Sequence, residues 1–136
     1  PPDRAAWRID VDPGTPGAVL SPLELSNAAV STSSGAEQFV TLGGVRYSHI
    51  VDPRTGEALR VGRAVVAIAP DGATADALAT AISVLGPDEG LRLADAEPGA
   101  AALVLEAADG RVARAASSRW PARGWASRVR RDPDQQ

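Results

Sequence analysis

Near the start of the chain, hydrophobic and polar residues alternate one by one. Trp7, Ile9 and Val11 stand against Arg8, Asp10 and Asp12, the period of a half-buried strand. Pro13-Gly14-Thr15-Pro16-Gly17 cannot continue it and predicts a turn. Leu20, Leu23 and Leu25, then Ala28 to Ser33, predict one or two further strands, broken near Pro22 and Asn27. Ser31-Thr32-Ser33-Ser34-Gly35 reads as a small-residue loop leading into a short helix through Val40, and Gly43-Gly44 as a hairpin turn between Val40-Thr41 and Val45-Arg46-Tyr47.

The period then changes. Arg63 to Ala69 is an unbroken apolar, β-branched run with its polar residue only at the edge, which predicts a buried central strand. Asp71-Gly72 ends it, Thr74 is a good N-cap for a helix from Ala75 to Leu85, and Gly86 terminates that helix. Pro87 can open a second helix at about Asp88, running to about Ala96. Ala101 to Glu106, a turn at Ala108-Asp109-Gly110, and Arg111 to Ala116 predict a terminal hairpin. The expected class is α+β: a mostly antiparallel sheet with one central amphipathic helix and a short second one. Residues 1–118 form the expected domain. Residues 119–136 carry five arginines and two aspartates, +3 against −6 for the remainder, and are expected to be a disordered tail.

Composition narrows the chemistry chiefly by what is missing. At 136 residues the chain can bury the core of one domain. It has no cysteine, so thiol catalysis and cysteine zinc sites are excluded. All 14 basic residues are arginine, which excludes lysine Schiff bases and the lysine-bearing phosphate loop. A single histidine rules out a multi-histidine metal centre. The absence of methionine, even at position 1, predicts a piece of a longer product. No run reaches the roughly 18 apolar residues of a membrane span. The arginines and tryptophans of the tail suit a nucleic-acid arm, but the acidic body argues against that partner.

Three segments carry candidate chemistry. A helical step of 100° per residue puts Asp76, Thr80 and Ser83 in one stripe, with Leu78, Ala81, Ile82 and Leu85 opposite. The apolar side must pack on the sheet, so the polar stripe faces solvent, a partner or a cleft. A carboxylate and a hydroxyl one turn apart suit Mg2+, which takes few protein oxygens and fills its octahedron with water and phosphate. The same spacing fits a first-turn acid favouring the helix dipole and an exposed threonine. His49 precedes Asp52 and the Pro53-Arg54-Thr55-Gly56 turn; its imidazole can move a proton, or it can be a loop histidine bonded to backbone. Thr32-Ser33-Ser34 allows close approach of a phosphate, as plain serine loops also do. A Ser33-His49-Asp52 hydrolase triad lacks the glycine-flanked serine elbow.

Taken in order, three blocks resemble the C-terminal half of the FAD:protein FMN transferases, the ApbE family. They are Ala29-Val30-Ser31-Thr32-Ser33, the run from Tyr47 through His49-Ile50-Val51-Asp52 to Gly56, and Ala75-Asp76-Ala77-Leu78-Ala79-Thr80-Ala81 continuing to Val84-Leu85-Gly86. The resemblance covers about residues 5–117 and implies part of a T-fold-like flavin transferase domain. It implies Asp76 and Thr80 as magnesium ligands, and His49-Ile50 lying against the flavin nucleotide. Thr32, Ser33, Ser34, Asp52 and Thr55 complete the expected nucleotide contacts, and His49 is the candidate proton acceptor. The implied reaction is Mg2+-dependent transfer of FMN from FAD to a threonine hydroxyl of an acceptor protein, with this chain holding about half the site. FAD pyrophosphatase activity giving FMN and AMP, or a non-catalytic flavin-binding scaffold, are the alternatives.

Overall fold

The computed structural model describes residues 5–36 and 38–121, and through their middle runs the apolar segment Arg63–Ala69. In chain order the elements are β1 (Trp7–Ile9), β2 (Leu23–Leu25), β3 (Ala29–Ser34), β4 (Phe39–Leu42), β5 (Val45–Val51) and β6 (Ala58–Arg60). There follow β7 (Arg63–Ala69), α1 (Gly72–Leu85), α2 (Pro87–Ala96), β8 (Ala101–Ala108) and β9 (Arg111–Ala116). All recorded pairings are antiparallel. They form a four-stranded sheet in the order β3-β7-β8-β9, a three-stranded sheet β4-β5-β6 and a two-stranded ribbon β1-β2.

Strand β7 is apolar throughout because both of its faces are covered. Alternate side chains point to opposite sides of a sheet. Val65, Ala67 and Ala69 meet Ala75, Leu78, Ala79 and Ile82 of α1. Ala64 and Val66 meet Leu103 and Leu105 under a cap of Val11, Ala18, Leu20 and Trp120, while Ile68 packs with Leu23 and Leu25. The result is three layers: helices, the four-stranded sheet, and the N-terminal ribbon with its flanking loops. Two arginines tie the layers. Arg63 donates to Glu106 Oε1 and to the Ser83 carbonyl at 2.8 Å. Arg119 donates to the carbonyls of Ala94, Glu97 and Ala100, satisfying the end of α2.

The expected α+β class, the central strand, both helices and the terminal hairpin are present. Several local expectations are corrected. Among the described residues no short helix precedes Val40: Ser31–Ser34 belongs to β3, and Phe39–Leu42 pairs with Val45–Ser48 as β4. An aromatic and β-branched segment beside a Gly43-Gly44 turn with two positive φ angles has a hairpin partner at hand. The N-cap of α1 is Asp71, not Thr74. The Asp71 carboxylate accepts from the Thr74 amide and hydroxyl at 2.9 and 2.8 Å, so threonine at the third helical position completes the cap. Trp7 is 61% exposed, although the alternation of β1 predicted burial.

The segment expected to be a tail from residue 119 begins, in Arg119 and Trp120, with residues packed on the body. Residues 122–136 lie outside the described residues. No helix among the described residues is long and apolar enough to cross a membrane.

Candidate functional site

The buried face of α1 is made by Ala75, Leu78, Ala79, Ile82 and Ser83. Ser83, expected in the polar stripe, is buried and donates to the Ala79 carbonyl at 2.9 Å. With the small residues counted as packing residues, Asp76 and Thr80 lie on the flank of the buried face rather than opposite it. That flank overhangs β3. Both side chains are exposed and line a cleft of about 300 Å³ with Thr32, Ser33, Ser34, Gln38 and His49.

Strand β3 is an outer strand of its sheet, so the cleft runs along a backbone edge that is unpaired among the described residues. Ala29 packs on the helix side and Val30 on the opposite side. Alternation therefore sends Ser31 and Ser33 toward α1, and Thr32 and Ser34 the other way. Ser31, which was not among the expected site residues, donates its hydroxyl to Asp76 Oδ1 at 2.9 Å. Serines assigned to a loop carry no face; assigned to a strand beside Ala29, they do. Ser34 instead accepts from the Ala36 amide at 3.1 Å.

His49 arrives from β5. Its backbone N–H donates to the Gln38 carbonyl at 3.2 Å, and its ring Nδ1 stands 3.4 Å from the same oxygen. Gln38, also missed in the sequence, thus fixes the histidine from the far side of the loop after β3. A carbonyl can only accept, so in the neutral ring this contact selects the tautomer with hydrogen on Nδ1 and the lone pair on Nε2.

Ile50, Asp52 and Thr55 do not join this cleft. Ile50 is buried, and its amide donates to Ser48 Oγ at 3.1 Å. Asp52 closes its own turn: it accepts from the Arg54 amide at 2.9 Å and pairs with the Arg54 guanidinium at 2.7 Å. Those bonds, the side-chain ones foremost, hold its carboxyl below the usual 3.8. Asp52 and Thr55 line a second concavity of about 660 Å³ with Val40, Leu42, Tyr47 and Arg60.

Among the described residues no three His, Cys, Asp or Glu side chains converge as a metal cluster. The helix flank supplies one carboxylate and one neutral hydroxyl, both hard oxygens, beside an open cleft. That donor set is too sparse for calcium or zinc held by protein alone. It suits magnesium, which binds through one or two carboxylates and completes its shell with water and phosphate.

Residues 1–104 match the sequence model of the ApbE family. The chain is 39% identical over 111 residues to the FAD:protein FMN transferase of Rhodobacter capsulatus, covering 78% of this chain and 20% of that protein. To the Vibrio cholerae enzyme of the same name it is 32% identical over 120 residues, covering 85% and 36%. The flavinyl transferase ApbE of Pseudomonas stutzeri, solved in its apo form, superposes with a TM-score of 0.65 at 33% identity over 83% of this chain and 35% of that one. The ApbE protein of Thermotoga maritima gives 0.67 at 34% identity over 82% and 37%. The chain therefore spans only a fifth to about a third of the length of these curated relatives.

Proposed function

The chain belongs to the ApbE family, and from that premise we propose that it forms one wall of a magnesium-dependent site that moves FMN from FAD onto a threonine hydroxyl of an acceptor protein. The observation that carries the proposal is the convergence of Asp76 and Thr80 of α1, the serine strand β3 and His49 of β5 on one cleft, although they come from three separate stretches of sequence.

In this reading the acceptor threonine attacks the FMN-side phosphorus of FAD. The new bond joins the threonine oxygen to that phosphorus, and the bond to the AMP oxygen breaks. AMP leaves, and FMN remains in a phosphoester. Nε2 of His49 accepts the threonine proton, with Gln38 holding the ring by Nδ1. Ser33 and the outer backbone edge of β3 offer donors to phosphate oxygens. Asp76 and Thr80 would hold Mg2+, which when bound neutralises pyrophosphate charge and the charge developing on the leaving group.

Incubation of the protein with FAD, Mg2+ and a threonine-bearing acceptor domain, followed by intact mass, tests the proposal. Gain of the FMN phosphoester by the acceptor supports it. FMN and AMP released with no adduct would make the protein a pyrophosphatase instead, and FAD that binds yet stays intact after prolonged incubation would make it a flavin-binding scaffold.

A further inference from the structure

We infer that Ser31 is a positioning residue for the cation site: its hydroxyl holds the Asp76 carboxylate by Oδ1 and leaves Oδ2 for the metal. The inference rests on the reading of Asp76 and Thr80 as magnesium ligands. Asp76 is exposed on the helix flank, and Oδ2 has no hydrogen bond among the described residues. Without an anchor such a side chain samples several rotamers, and ordering it on binding costs entropy.

Ser31 supplies that anchor from a stiff base. It lies within β3, opposite Ala67 of the buried β7. Its side chain turns about a single χ bond, and its one proton is committed, because an ionised carboxylate only accepts. Its contact is with Oδ1 alone, so Oδ2 keeps its lone pairs for a cation. Alanine at position 31 would leave the strand and the packing intact and remove only the tether. Threonine would keep the hydroxyl on a residue that strands favour.

The test uses Mn2+ as a paramagnetic probe of the cation site, titrated into the FAD-bound chain and followed by electron paramagnetic resonance. It compares the wild type with Ser31→Ala, Ser31→Thr and Asp76→Ala. A second readout, on the metal-free chain, is the set of Asp76 β-methylene couplings, which report whether one χ1 rotamer is held. We expect Ser31→Ala to weaken Mn2+ binding roughly three- to tenfold, the range of one net hydrogen bond. Its melting temperature should not change, and its Asp76 couplings should average. Ser31→Thr should restore both, and Asp76→Ala should lose binding.

Wild-type affinity in Ser31→Ala, with binding still lost in Asp76→Ala, overturns the inference and leaves the magnesium reading standing. Unchanged Asp76 couplings in Ser31→Ala overturn it as well. Equal Mn2+ binding by the wild type and Asp76→Ala sinks the magnesium reading itself, and Ser31 as a cation-site residue falls with it.

Discussion

The four-stranded sheet with its helices and the three-stranded sheet β4-β5-β6 are built on opposite terms. In the first, β7 is enclosed on both faces, Ile82 is 0% exposed, and α1 and α2 are closed by Asp71, Gly86 and Arg119. In the second, Val40 and Leu42 stand 57% and 65% exposed, and a register shift breaks the pairing of β5 with β6. The oxygen ligands proposed for magnesium sit on the first region and the proposed base on the second. The cleft is the seam between them. A preorganised carboxylate benefits from a rigid platform, whereas a base serving an incoming polypeptide can sit on a more open element.

The largest expected effect breaks the seam from either side. His49→Ala should lower FMN transfer roughly 100- to 10,000-fold, the range for loss of a general base, with the unfolding midpoint unchanged. Asp76→Ala should lower transfer at least as far at low Mg2+ and recover part of it at high Mg2+, a rescue that His49→Ala should not show. Steady-state transfer rates at two Mg2+ concentrations decide between these patterns.

Stability should divide along the same line. Ile82→Ala removes a fully buried side chain from the face of α1 that meets β7 and should cost about 2–5 kcal/mol in denaturant unfolding. Leu42→Ser on the open sheet should fall within about 0.5 kcal/mol. Gly90 lies between these extremes. A Cβ added there would stand 2.6 Å from Ile82 Cγ2 and 3.0 Å from the Ile82 backbone, so Gly90→Ala forces α2 away from α1 at about 1–3 kcal/mol. Pairing it with Ile82→Ala removes Cγ2 but keeps the backbone contact, so part of the Gly90→Ala cost should remain; full recovery would show that side-chain crowding alone is responsible.

How much of this could be read in the sequence also follows the division. The enclosed region was legible because its burial is complete: Ala64 to Ala69 is apolar at every position, and Gly86-Pro87 punctuates the two helices. The open region was less so, since Phe39-Val40-Thr41-Leu42 lacks the polar alternation of a half-buried strand and its exposed residues give no clue to their partner. Asp76, Thr80 and His49 were legible as residue types in ordered blocks. Their meeting was not, because it depends on Ala75, Ala79 and Ser83 turning the helix flank over β3. Ser31 and Gln38 escaped for a related reason: the first needed a strand face, and the second acts through its backbone carbonyl, which no sequence pattern encodes.

The smallest effect expected distinguishes the two regions by their acids. Asp71 caps α1, and the Thr74 amide, then its hydroxyl, hold its carboxyl below the usual 3.8. Asp52 is held below that value first by its side-chain bonds to Arg54, then by the Arg54 amide. In both cases the folded form binds its proton less readily than the unfolded chain. The stabilisation is therefore complete above about pH 4 and is lost as pH falls through the depressed folded values. The partners differ in kind. Asp71 is held by neutral dipoles, so its contribution should survive added salt, whereas Asp52 faces a guanidinium in water and should be screened. Asp71→Asn keeps a capping side chain while removing the titrating charge, and should flatten the acid limb of global unfolding at any ionic strength. Asp52→Asn should leave global unfolding nearly unchanged and speed amide exchange at Thr55 and Gly56, whose N–H groups bond back to the Asp52 carbonyl, most clearly at low salt. If Asp52→Asn instead shifted the global acid limb as far as Asp71→Asn, the two sheets would unfold as one cooperative unit, and the open sheet could not be treated as the looser wall of the cleft.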